Sequence, residues 1–98
     1  MTNKEICLPG YRSLPFSQVV RGGDFLFVSG QSAHDPDKKE SGTRGVAAET
    51  EVILRRIADL LVQCGSSLAD VVQVHAYLRD PGDFAAFNAV YRGFFPSE

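Results

Sequence analysis

The chain has 98 residues, 44% hydrophobic and 22% charged, which is enough for one compact domain around one core. Ten basic residues against twelve acidic ones leave a net charge of −2, excluding the basic footprint of a nucleic-acid or anionic-membrane binder. No apolar run approaches the ~20 residues that span a bilayer.

In chain order, Met1 to Glu5 is followed by no hydrophobic stretch, so the sequence predicts no secretory leader. Ser17–Arg21 and Phe25–Ser29 are β-rich runs around Gly22-Gly23-Asp24, and a tight turn that needs positive φ makes them a hairpin. The second run is apolar on both faces and reads as a central strand. Gly30 to Gly45 is polar, contains Asp35-Pro36-Asp37, and reads as a surface loop. From Val46 to Cys64 the apolar residues Val46, Ile53, Leu54, Ile57, Leu60 and Leu61 recur at helical steps, and Gly65 supplies a left-handed stop. Val71 to Leu78 alternates and reads as a strand, broken by Pro81-Gly82. A last helix carries Phe84, Phe87, Val90, Tyr91, Phe94 and Phe95 inward, with Asp83 as its N-cap. Strand, helix and strand in that order imply a right-handed crossover, and two helices on one face of a mixed sheet make an α+β domain spanning residues 1–98.

Chemical motifs are sparse. His34, His75, Cys7 and Cys64 show no pair at ligand spacing, so neither metal nor cofactor is expected. The two separated cysteines read as reduced thiols of a cytoplasmic protein. Ser29 lies outside any Gly-x-Ser-x-Gly elbow, and Gly22-Gly23 precedes no helix that could bind phosphate. The aromatic residues near the C-terminus have core spacing and no basic stripe around them. What remains is Ser29-Gly30-Gln31 at the end of a strand, where a hydroxyl and a glycine let a ligand approach the backbone.

Five collinear segments carry a resemblance. Leu14-Pro15-Phe16-Ser17-Gln18-Val19-Val20 resembles the G-P-Y-S-Q-A-V opening of the RidA/YjgF family, also called the endoribonuclease L-PSP family. Phe25 to Gln31 is similar to its L-F-V-S-G-Q strand, and Asp35-Pro36 to the D-P turn that follows. Cys64-Gly65-Ser66-Ser67-Leu68-Ala69-Asp70-Val71-Val72 resembles A-G-S-S-L-D-D-V-V, and Leu78-Arg79-Asp80 through Tyr91 resembles L-T-D-x-x-D-F-A-A-x-N-x-V-Y.

This resemblance implies a chorismate-mutase-like fold, a homotrimer with ligand clefts between subunits, and hydrolysis of reactive enamines or imines such as 2-aminoacrylate to 2-keto acids and ammonia. It also implies that Phe16, Ser29, Gly30 and Asn88 line the cleft and bind a small keto or imino acid. The alternatives are a non-catalytic trimeric ligand-binding or interaction module and, least favoured at this net charge, a ribonuclease or translation inhibitor. Two departures stand out. Phe16 replaces the family's tyrosine, and the family's later P-A-R-[ST] and E-I-E segments, whose arginine grips the substrate carboxylate and whose glutamate helps activate water, have no counterpart among these residues. The chain is therefore expected to lack the family's C-terminal strands, the last of which belongs between Phe25–Ser29 and Val71–Leu78, and no catalytic residue is assigned within it.

Overall fold

The computed structural model describes residues 4–10, 15–33 and 45–95. Three antiparallel strands form one sheet in the order β1 (Lys4–Leu8), β2 (Val19–Gly22), β3 (Phe25–Val28), followed by helices α1 (Val46–Gln63) and α2 (Phe84–Phe94). The hairpin closes on the pair Gly22↔Phe25 through Gly23 and Asp24. Gly23 has φ 60°, and no non-glycine residue among those described has positive φ. A positive φ at the first turn position alone fits a II′ turn, whose twist matches that of the flanking strands.

The α+β class expected from the sequence is what folds, but two elements differ. Lys4–Leu8 is a strand the sequence reading left out, because a charged start and a long connection to Val19 carry no hairpin signal. Its pairing with β2 makes β2 the central strand and leaves β3 at an edge among the described residues. Phe25 and Phe27, read as covered, are instead 59% and 62% exposed.

The second difference is the strand expected at 71–78. That segment makes no ladder pairing, so the described sheet is antiparallel rather than mixed and no parallel crossover forms. The backbone is still extended at Val71 (φ −70°, ψ 129°) and at Asp80 (φ −127°, ψ 126°). Gln73 and His75 meet at 3.1 Å, as residues two apart on one side of an extended chain do.

The helices form as their stripes dictate. Thr50, Leu54, Leu60 and Leu61 are buried on α1, and Val19 of β2 is fully buried. Cys64 caps α1, Gly65 takes φ 82°, and the bonds Ser66 N–H to Leu61 O (2.8 Å) and Gly65 N–H to Val62 O (3.1 Å) complete a Schellman motif. On α2 the side chain of Asp83 makes no capping bond. Asp80 instead accepts from Gly82 N–H at 2.9 Å and organises the 3-10 turn Pro81–Asp83 ahead of the helix. The rings of Phe87, Tyr91 and Phe95 stack along one face at centroid distances of 5.3 and 4.7 Å. Arg55 of α1 lies 5.9 Å from the Phe94 ring centroid and helps join the helices. α1 is tied to the sheet by a hydrogen bond between the Cys64 and Cys7 thiols and by Arg56 donating to the Ser32 carbonyl. Most of the loop expected between Gly30 and Gly45, with His34 and Asp35-Pro36, lies outside the described residues, as does Pro96.

Candidate functional site

Strand register decides what surrounds Ser29. The pairs Ile6↔Val20 and Val20↔Phe27 place these three residues on one face, opposite the face that buries Val19. Lys4 pairs with Gly22 on that same outer face. The Phe27 ring lies over Gly22, where a Cβ would come within 3.1 Å of the ring's Cε2.

At the end of this face an open concavity of about 430 Å³ is lined by Lys4, Phe16, Ser17, Val20, Phe27 and Ser29, among others. Its upper rim is held by backbone. Ser29 N–H donates to Gln18 O at 2.9 Å, and Gln18 N–H donates to Leu8 O at 3.0 Å, so all three strands fix the approach to the site. The Gln31 amide donates to both Ser29 O and Ser29 Oγ at 3.2 Å. With its oxygen already accepting, the Ser29 hydroxyl proton is free to point at a ligand.

Of the residues singled out from the sequence, Phe16 and Ser29 share this concavity. Gly30 follows Ser29 directly, is exposed, and has open space where a side chain would stand. Asn88 is half-buried on α2 and is not part of the lining. Lys4 and Ser17 are additions. Lys4 could have been found only by recognising β1 and counting its register against Gly22.

The chemistry available is one ammonium, two hydroxyls and an aromatic wall. That set can hold a small anion and orient it. None of the lining side chains is a histidine, a carboxylate or a thiol, so none moves a proton near neutral pH. Among the described residues no three His, Cys, Asp or Glu side chains group as a metal site, and no helix is long and apolar enough to cross a membrane.

A fold of three antiparallel strands and two helices, with this serine at the mouth of β3, matches known proteins along most of its length. The family model described as Endoribonuclease L-PSP matches residues 11–98, and the chain belongs to that family, the RidA/YjgF proteins of chorismate-mutase-like fold. A RutC family protein of Pyrococcus abyssi is 40% identical over 81 residues, covering 83% of this chain and 64% of its own length. The protein mmf2, mitochondrial, of Schizosaccharomyces pombe is 37% identical over 82 residues, 84% of this chain and 64% of its own. The chain thus spans slightly under two-thirds of these relatives. Among solved structures, yeast Mmf1 superposes with a TM-score of 0.78 at 31% identity, covering 92% of this chain and 70% of that one. RidA of an Antarctic Psychrobacter gives 0.76 at 31%, covering 96% and 75%.

Proposed function

We propose that the protein of which these residues form the RidA-type domain hydrolyses reactive enamines and imines, such as 2-aminoacrylate, to 2-keto acids and ammonia. The observation that carries this reading is the meeting of Phe16 and Ser29 with the Lys4 ammonium in one concavity, in a chain of this family. The imine carbon takes up water, and the resulting carbinolamine expels ammonia and leaves the carbonyl. Lys4 would attract the ligand's carboxylate, Ser29 would donate to its imino or keto group, and Phe16 would cover its apolar side. Gly30 and Asn88 belong to the same proposed cleft by family resemblance.

The proposal includes a homotrimer, for which the exposed outer-face residues Ile6, Phe25 and Phe27 are the support. Light scattering that finds a stable monomer at micromolar concentration would remove it. A cytoplasmic location fits the two free thiols.

Residues 1–98 by themselves should have little deaminase activity. The family's carboxylate-gripping arginine lies in a segment with no counterpart here. Loss of one partner of a buried charged pair, at about 2–5 kcal/mol, lowers kcat/KM by roughly 30- to several thousand-fold. The test compares ammonia release from freshly generated 2-aminoacrylate by the 98-residue chain and by the chain extended with family-type P-A-R-[ST] and E-I-E segments. The extended chain should be far faster, and equal rates would show that the chemistry lies within 1–98. Ser29→Ala should weaken a bound small keto acid by about 0.5–1.5 kcal/mol.

A non-catalytic ligand-binding module is the second reading, favoured by the lack of an acid–base side chain in the lining. It predicts keto-acid binding with no ammonia release from either chain. A ribonuclease is the least favoured, since a net charge of −2 gives little purchase on phosphates.

A further inference from the structure

The sequence holds two cysteines, Cys7 and Cys64, and the fold brings them together as free thiols. Each sits where regular backbone breaks. Ile6 pairs with Val20 and Leu8 with Val19, so Cys7 is the extra residue of a β-bulge. A bulge leaves its residue out of the ladder and re-aims its side chain. Cys64 is the C-cap of α1 (φ −99°, ψ 11°), directly before left-handed Gly65. The two thiols hydrogen-bond to each other, and Arg21 stands close enough to Cys64 to act on its charge. Both thiols are half-buried, so a small reagent can reach them, unlike the inert cysteines of a packed core. A zinc site is not an alternative among the described residues, since no third ligand joins the pair.

We propose that Cys7 and Cys64 form a reversible disulfide, by exchange with a low-molecular-weight disulfide such as oxidised glutathione, and thereby staple β1 to the end of α1. In the first step one thiolate attacks a glutathione sulfur, forming a mixed disulfide and releasing one glutathione thiolate. In the second the other cysteine, losing its proton to solvent, attacks the protein sulfur of that mixed disulfide and expels the second glutathione. The two protein thiols are oxidised, one oxidised glutathione is reduced to two glutathiones, and no other reactant is needed.

Closing hydrogen-bonded sulfurs to a bond of about 2.05 Å requires a small approach of the two backbones. A bulge and a helix terminus can supply it, because neither Cys7 nor Cys64 holds the interior of a ladder or helix. Burial and the neighbouring Cys7 push the Cys64 thiol up, while Arg21 acts the other way. The thiolate of Cys64 is therefore scarce at neutral pH, and exchange should accelerate as pH rises. Since β1 also carries Lys4, the staple would fix the strand that supplies the charged wall of the concavity.

The full chain, incubated in glutathione buffers of graded potential and quenched with acid, gives a direct test. Both thiols should disappear together, with a mass lower by two hydrogens, a single-chain band on a non-reducing gel and a Cys7–Cys64 cross-linked peptide. The unfolding midpoint should rise on the order of 10 °C and return to its starting value with dithiothreitol. Cys7→Ser and Cys64→Ser should each stop at a glutathione adduct. Should either variant fail to fold, the peptide map of the unaltered chain decides alone. Accumulated adducts on the unaltered chain, disulfides between chains, or thiols that stay reduced at every potential would each overturn the proposal.

Discussion

Phe25–Val28 and Val71–Leu78 are both rich in β-branched and aromatic residues, and both stand in extended stretches of chain. The first lies in a ladder with β2, closed by a two-residue turn, while the second has no strand beside it among the described residues. Its side chains show the result: Val72 is 84% and Tyr77 90% exposed. β-propensity describes how well a residue fits a pleated, half-covered surface, and it acts only when a neighbour supplies that surface. The segment that gains a local partner becomes a strand, and the other keeps an extended shape without the bonds.

The contrast should be widest in amide hydrogen exchange. In the isolated chain, ladder amides of β2 should be protected to nearly the global unfolding free energy, and those of residues 72–77 scarcely at all. Comparable protection in the two regions would mean that 71–78 finds a partner in solution. Next in size is side-chain truncation. Val19→Ala removes a fully buried side chain and should cost about 2–3 kcal/mol, whereas Val72→Ala should stay within about 0.5 kcal/mol, both by urea denaturation. A large cost at Val72 would place it in a packed surface.

The smallest effect concerns the sheet–helix contact that the paired region has and 71–78 lacks. Burial holds the Cys64 thiol protonated to higher pH in the folded state than in the unfolded one. Above the ordinary thiol pKa the unfolded chain binds fewer protons, so this contribution is complete below that value and is lost as pH rises through the folded one. The reduced protein should therefore lose slightly more thermal stability between about pH 8 and 10 than Cys64→Ser does. Identical slopes would show that the contact does not discriminate between the two charge states.

How far the sequence could be read follows the same logic of local against distant information. α1, its Gly65 stop, the Gly23 turn and the α+β class all rest on signals within a few residues, and each was legible. The place of Lys4–Leu8 in the sheet was not, because its partner β2 lies beyond a long connection and five residues beginning Lys-Glu carry no strand pattern. β3 was placed centrally because its apolar faces were taken to mean cover on both sides. Phe25 and Phe27 show that an apolar face can equally stand open for another surface. At the site, Phe16 and Ser29 were reached through motif resemblance, while Lys4 depended on cross-strand register, which a linear pattern does not encode.

The position of the Phe27 ring over Gly22 sets a limit on how this concavity can vary. Any side chain at position 22 would bring its first carbon to 3.1 Å from the ring, closer than such contacts ordinarily come. The ring would have to shift by a few tenths of an ångström, and Phe27 forms part of the lining. The contour of the site is thus written partly in a missing side chain. Drift in this lineage can remodel the pocket from Phe16 or Ser17 directly, but through Gly22 only by moving Phe27.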